Sequence, residues 1–294
     1  MLRLLQYQTD MTDLENLLSR AEALLERLSQ LLPPPPPPPD WTHDAYRWRH
    51  DRGTGFLEPV RQPHRVAVDD LLCIDAQKAE ILRNTRQFVD GRPANNVLLW
   101  GARGTGKSTL IKAVFNHFVP QGLRLVEVDK AHLVELPDIV ERLHDRPERF
   151  IIFCDDLSFE ADDAGYKSLK AVLEGSIATP PANVLLYASS NRRHLLPEYQ
   201  RENQEARFVN GEIHQGETVE EKISLSERFG MWLSFYPYTQ DQYLRICDHW
   251  LRHLGSADTT SEPVRKAALQ WATYRGSRSG RVARQFALDW AGRA

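Results

Sequence analysis

A parallel α/β sheet followed by a small all-helical domain is the fold class the sequence predicts, on three observations. Short apolar runs alternate with amphipathic helical stretches between residues 96 and 236. A glycine-rich turn joins the first run to its helix, and the last fifty-odd residues read as helices only. Buried strands connected by helices call for a parallel sheet covered on both faces.

The elements follow in order. Leu14, Leu17, Ala21, Leu24, Leu28 and Leu31 fall on a/d heptad positions, and Leu18, Leu25 and Leu32 widen the stripe, so residues 1–32 read as a leucine-rich amphipathic helix. Fewer than three heptads make a marginal coiled coil, and the stripe is expected to bury itself on a partner or on another copy. Pro33 to Pro39 follow without interruption. Proline fixes φ and lacks an N–H, so residues 33–40 are expected to form a polyproline II linker about 22 Å long. The spacer reading is preferred to a docking site for aromatic grooves. Residues 41–65 interleave aromatic and basic side chains (Trp41, His43, Tyr46, Arg47, Trp48, Arg49, His50) without a clear period, and are expected to be irregular, packing their rings on the next domain.

From residue 66 to 238 the pattern is that of the α/β domain. Asn96–Trp100, Leu123–Asp129, Phe150–Asp155, Asn183–Ala188 and Trp232–Tyr236 are the five expected strands. Helices are expected at Lys107–Phe118, around Ala131–His144 and around Ala164–Leu173. A polar excursion from Arg192 to Ser224 exceeds ordinary connections and reads as a functional loop or small hairpin. Residues 239–294 form the helical domain. Thr239 and Gln242 make a capping box for a helix stopped by Gly255; Ser261-Glu262-Pro263 opens a second helix, and Ser279–Trp290 makes a third.

Composition narrows the function classes. Lys plus Arg number 37 against 40 Asp plus Glu, a net charge of −3, so the total does not mark a polyanion binder. Three widely spaced cysteines exclude a disulfide framework and a compact zinc knuckle. No apolar run reaches the roughly 18 residues of a membrane helix, and no secretory signal is read, so a cytoplasmic setting and no membrane partner are expected.

The chemistry concentrates in one motif. Gly101-Ala102-Arg103-Gly104-Thr105-Gly106-Lys107-Ser108 matches G-x-x-x-x-G-K-[ST], directly after a strand and opening a helix that continues with Thr109. Such a loop wraps backbone N–H groups round phosphate oxygens at the positive end of a helix. Lys107 is expected to reach the β- and γ-phosphates and Ser108 to ligate Mg²⁺. Asp155 ends the next-but-one strand and is the candidate second Mg²⁺ ligand; the adjacent Asp156 is the candidate group for orienting or deprotonating water. Asn191, at the tip of the fourth strand, is the candidate for sensing the γ-phosphate or positioning water. No N-K-x-D guanine reader follows a later strand, which speaks against a GTPase.

With Leu225-Ser-Glu-Arg228-Phe-Gly230 ahead of the fifth strand and Ser279-Gly280-Arg281-Val-Ala-Arg284 opening the last helix, the set resembles the AAA+ ATPases from about Leu71 to the C-terminus. The resemblance implies a five-stranded sheet with a helical lid, ATP and Mg²⁺ held between them, and a ring of subunits, commonly six. It implies that Arg228 is an arginine finger reaching a neighbour's γ-phosphate and that Arg281 is the lid arginine, with Arg284 the second choice. It also implies that the segment Leu71–Ile74, through Leu72 and Ile74, lies against adenine. Leu72-Cys-Ile-Asp-Ala-Gln77, Ala94-Asn-Asn-Val-Leu-Leu-Trp-Gly101, Cys154-Asp-Asp-Leu-Ser-Phe-Glu160 and Ser189-Ser-Asn-Arg-Arg-His194 look like a bacterial AAA+ family with no assigned function.

One departure stands out. Most AAA+ enzymes carry Glu where this chain has Asp156, one methylene shorter, so slow hydrolysis is expected. The leading reading is an oligomeric ATPase that remodels a macromolecular client, with residues 1–39 available for its capture. The alternative is an ATP-gated assembly module with little or no turnover. Arg192, Arg193, Arg201 and Arg207 tint the excursion basic, but Glu198, Glu202 and Glu205 offset them, and a nucleic-acid client is the less favoured reading.

Overall fold

The computed structural model describes residues 19–24, 38–51, 53–159, 163–174, 181–193, 195, 207–209, 212–214 and 227–293. Most of the leucine-rich helix, most of the proline run and most of the 192–224 excursion lie outside them. The chain divides into two units, Met1–Pro39 with His50–Phe56, and Asp40–Arg49 with Leu57–Ala294. In the first, residues 19–24 are helical. The second contains the α/β and helical domains.

The chain runs through β1 (Ala45–Asp51), β2 (Thr54–Pro59), α1 (Asp75–Val89), β3 (Val97–Gly101), α2 (Lys107–Phe118), β4 (Leu123–Val128), α3 (Leu136–His144), β5 (Arg149–Cys154), α4 (Ala164–Glu174) and β6 (Val184–Ser190). Then come β7 (Arg207–Val209) and β8 (Glu212–His214), an antiparallel pair of their own, and β9 (Met231–Phe235). The main sheet has the order β2-β1-β4-β5-β6-β3-β9. β1·β4, β4·β5, β5·β6, β6·β3 and β3·β9 all pair parallel. The glycine-rich turn leaves the C-terminal end of β3, which lies between two strands that both come later in the chain. That is where ligands bind in open parallel sheets.

Both faces of the sheet are covered, and this is why its strands are apolar throughout. Val97, Leu99, Ile151 and Phe153 pack into the core that includes α1, α2 and the helical domain; Leu98, Ile152 and Leu186 pack with residues of α3 and α4. A buried polar cluster sets the entry to β3. Tyr187 Oη lies 2.8 Å from Thr85 Oγ1 and accepts from Asn84 Nδ2 at 3.1 Å. Asn84 also brackets Asn95, donating to its carbonyl at 2.9 Å and accepting from its N–H at 3.0 Å.

The helical domain comprises α5 (Gln240–His253), α6 (Glu262–Tyr274) and α7 (Gly280–Ala291). The Thr239–Gln242 capping box forms at the start of α5, and the Ser279 side chain caps α7 by accepting from the Val282 N–H. Tyr243, Cys247, Leu251, Ala268, Ala283 and Phe286 are its buried centre.

Two expectations are corrected. The main sheet has seven strands rather than five, because residues 41–65 are not irregular: they supply β1 and β2. Tyr46 and Trp48 point inward and are buried, while Arg47 and Arg49 between and after them pair with Glu127 and Glu58 at 3.0 Å. This is the two-residue alternation of a half-buried strand, hidden because aromatic and basic residues were counted as one class. The helix expected around Ala131–His144 begins as a 3-10 turn, Lys130–Glu135, and becomes α-helical only at Leu136. Pro137 in its first turn has no N–H to continue an earlier α-helix.

Trp48 Nε1 donates to Glu135 Oε2 at 2.8 Å, and Arg142 lies over its ring at 5.1 Å. Trp48→Ala is expected to lower stability by about 3–5 kcal/mol and Trp48→Phe by much less, measured as the shift in urea midpoint. An unchanged midpoint for the alanine variant would show β1 to be an ornament rather than part of the core.

Candidate nucleotide site

The loop after β3 owes its path to two glycines that have no room for a side chain. Gly101 has φ 132°, and a Cβ there would stand 2.0 Å from the carbonyl oxygen of Phe235. That same carbonyl accepts from the Ala102 N–H at 3.0 Å, so β9 guides the chain into the loop. Gly104 has φ 76°, and a Cβ there would meet Ser279 Cβ and Oγ at 2.8 Å. The loop therefore nests directly against the cap of α7. Tyr238 Oη donates to the Thr105 carbonyl at 2.8 Å, and the Thr105 hydroxyl donates to the Ala102 carbonyl at 2.8 Å. Burial pushes the Tyr238 phenol far up, keeping it a donor.

Lys107, the first residue of α2, is only 6% exposed. Its ammonium donates to the carbonyls of Gly101 at 2.7 Å and Ala102 at 2.8 Å, and to Asn191 Oδ1 at 3.0 Å. Burial lowers its pKa to about 8, against the pull of Asp156 and Asp155, which favour the charged form. Burial disfavours the charged form of this lysine, and phosphate oxygens beside the ammonium would favour it.

Beside it stand the acids. Ser108 Oγ donates to Asp155 Oδ1 at 2.5 Å, and Ser189 Oγ donates to the same oxygen at 2.5 Å. The Asp156 N–H reaches Asp155 Oδ1 at 3.0 Å and Ser189 Oγ at 3.1 Å. Asp156 has φ 51°, a left-handed conformation that Asp adopts more readily than most residues. Its carboxylate accepts from Asn191 Nδ2. Asn191 thus links Lys107 to Asp156 through the two ends of one amide. Ser108 and Asp155 offer hard oxygen donors side by side, the donor type Mg²⁺ takes. Among the described residues no three His, Cys, Asp or Glu cluster to hold a metal by themselves.

These groups open into a cleft of about 1040 Å³. Of the residues singled out from the sequence, Arg103, Gly104, Thr105, Gly106, Lys107, Ser108 and Thr109 line it. So do Asp155, Asp156, Asn191, Leu72 and Arg281. Gly101 and Ala102 do not; their carbonyls hold Lys107 from beneath. Ile74 is buried in the core, and Leu71 lines the cleft beside Leu72 in its place. Arg281 Cβ lies 3.8 Å from where a Gly104 Cβ would be, next to the loop. Arg284 also faces the cleft, but its guanidinium sits over the Trp250 ring at 5.2 Å. Arg228 is not among the lining residues and pairs with Glu174 at the end of α4. Sequence reasoning missed Ser189, whose signal was a buried hydroxyl position in an otherwise apolar strand. It also missed Tyr238, Trp250 and the segment His64–Val66, for which spacing offers no signal.

The chain belongs to the family described as "Protein of unknown function (DUF815)", which matches residues 41–294. No curated protein matches it. Among solved structures it is similar to the RuvB Holliday junction branch migration motor of Thermotoga maritima, at 16% identity over 76% of this chain and 70% of that one, with a TM-score of 0.43. A single-substitution variant of that RuvB gives 16% identity over 74% and 66%, with a TM-score of 0.42.

The lowered Lys107 pKa has a sign that can be measured. Between pH 8 and the ordinary lysine value of 10.5 the unfolded chain holds a proton that the folded chain has lost, so stability contributed by this group rises with pH. The rise is at most about 1.4 kcal/mol per pH unit. Stability of the unliganded protein minus that of Lys107→Met, from urea unfolding at pH 7.5, 9 and 10, is expected to increase along the series. Parallel pH curves for the two proteins would contradict a depressed Lys107.

Proposed function

We propose that this DUF815 protein binds ATP with Mg²⁺ in the cleft between sheet and helical domain, and hydrolyses it slowly as part of a homo-oligomer. The observation that supports this most directly is the arrangement of Lys107, Ser108 and Asp155. A buried ammonium at the floor of a left-handed glycine loop adjoins a serine–carboxylate pair at 2.5 Å. Neither element makes structural sense alone. A buried cation costs free energy unless an anion offsets it, and a triphosphate is the anion whose shape the loop follows.

Lys107 and the N–H groups of residues 104–108 stabilise negative charge on the phosphates, most of all as it builds on the leaving group. Ser108 and Asp155 would hold Mg²⁺, which would supply positive charge to offset that of the phosphates. Asp156, oriented through Asn191, positions the attacking water and accepts its proton. Arg281, next to Gly104, is the lid arginine on the same nucleotide. Arg284 is engaged by Trp250 and takes a different part. Arg228 acts on a neighbouring subunit, which is why it stands away from its own cleft; the ring, six-membered by family resemblance, is what brings it to a phosphate.

A second reading, an ATP-gated assembly module with little turnover, is favoured by one observation. The Asp156 carboxylate accepts from Asn191 Nδ2, which occupies the group that would take the water's proton. Both readings bind ATP and differ in phosphate release.

Lys107→Ala is expected to abolish ATP uptake and phosphate release together. Asp156→Asn is expected to keep ATP affinity within a few-fold while turnover falls at least about a hundredfold. Arg228→Ala is expected to leave ATP affinity unchanged and lower turnover only where subunits associate. Phosphate release at saturating ATP that is equal in wild type and Lys107→Ala discards hydrolysis and leaves the gated module.

Residues 1–39 are proposed to capture a macromolecular client or promote assembly. Their deletion is expected to spare ATP binding and change the mass distribution in light scattering or the set of captured proteins. A deletion that alters neither removes that role.

A further inference from the structure

We propose that Trp250, in the helical domain, is the stacking platform for the nucleotide's purine base. The proposal rests on the nucleotide reading of the cleft and names the residue that holds the end opposite the phosphates. Two helical stripes of the lid line this cleft. Ile246, Trp250 and His253 face it from α5, spaced four and three residues apart; Arg281, Arg284, Gln285 and Leu288 face it from α7. Arg281 stands at the loop, beside Gly104. From there the α7 stripe runs on for seven residues, about 10 Å of helix axis, which is the reach of a nucleoside beyond its phosphates. Trp250 meets this stripe at Arg284, about one helical turn beyond Arg281.

The ring is held in place by its neighbours. The Arg284 guanidinium lies over one face of the ring at 5.2 Å, so the base takes the other, and the rings of His253 and His249 stand roughly perpendicular to the indole with centroids 5.6 and 5.3 Å away. Leu71 and Leu72 line the same cleft, so an indole and two leucines give it apolar surface suited to a flat ligand. The segment leading to them is anchored too. Asn116 Nδ2, on the same helix that begins with Lys107, donates to the carbonyls of His64 at 3.0 Å and Val66 at 3.2 Å. His249 Nε2 lies 3.2 Å from Asp70 Oδ1, tying the lid to the residue next to Leu71. A face-on ring recognises the π-surface common to all bases, so the platform grips a purine without reading its edge.

The test compares ligands with and without a base on the full chain. MgATP, MgADP and magnesium tripolyphosphate are titrated into wild type, Trp250→Ala and Trp250→Phe. Trp250→Ala is expected to weaken ATP and ADP about tenfold or more and leave tripolyphosphate unchanged, with Phe restoring most of the loss. ATP, but not tripolyphosphate, is expected to quench indole fluorescence in wild type, and the quench to vanish in Trp250→Phe, which decides the matter even if the alanine variant fails to fold. Equal losses for ATP and tripolyphosphate, or a quench that persists in Trp250→Phe, overturn the platform while leaving the nucleotide site intact. A wild-type chain that takes up neither ligand overturns both readings.

Discussion

A buried ammonium group organises this molecule. Lys107 is almost wholly buried at the cleft floor, and the chain surrounds it with oxygens: two carbonyls from its own loop and one amide from the tip of β6. The carbonyls can be offered only because the loop doubles back over the start of α2. That reversal exists because Gly101 and Gly104 adopt conformations closed to other residues. The sheet order then matters. β3 lies between β6, which delivers Ser189 and Asn191, and β9, which steers the loop. The helical domain, through Ser279, and Tyr238 just ahead of it close the arrangement, both in contact with the loop. Remove the charge at 107 and most of these contacts lose their reason.

What the residues disclosed in advance was whatever is local. The strand–loop–helix around residues 97–118 combines an apolar run, a glycine pattern and a helical stripe within about twenty positions, and each signal reinforces the next. The C-terminal helices announced themselves through Thr239–Gln242 and Ser279, caps whose partners lie three residues away. Residues 41–65 escaped because alternation was sought in hydrophobicity alone, whereas Arg47 and Arg49 reach outward to acids on other strands. Ile74 was assigned to the cleft as part of a four-residue block, but a change of backbone direction at Cys73, with φ 62°, turns it into the core.

The remaining unread features are tertiary. Trp250 and Arg284 lie on different helices, and nothing in their spacing says that one covers the other. Ser189 and Ser108 share the Asp155 oxygen from three separate elements. Glu174 and Arg228 are fifty-four positions apart, and their pairing follows only from where α4 ends relative to β9. Pairings of this kind depend on helix lengths and sheet twist, quantities that single residues do not encode.

The approach of Gly101 to Phe235 has a consequence for how such proteins diverge. The atom that forbids a side chain at position 101 is a main-chain oxygen, present whatever residue occupies 235. Position 235 is thus free to drift among shapes that fill the core behind it, while 101 is not free at all, and no compensating exchange at 235 can release it. The glycine is pinned by geometry that every amino acid shares, a veto that inheritance has no spelling to amend.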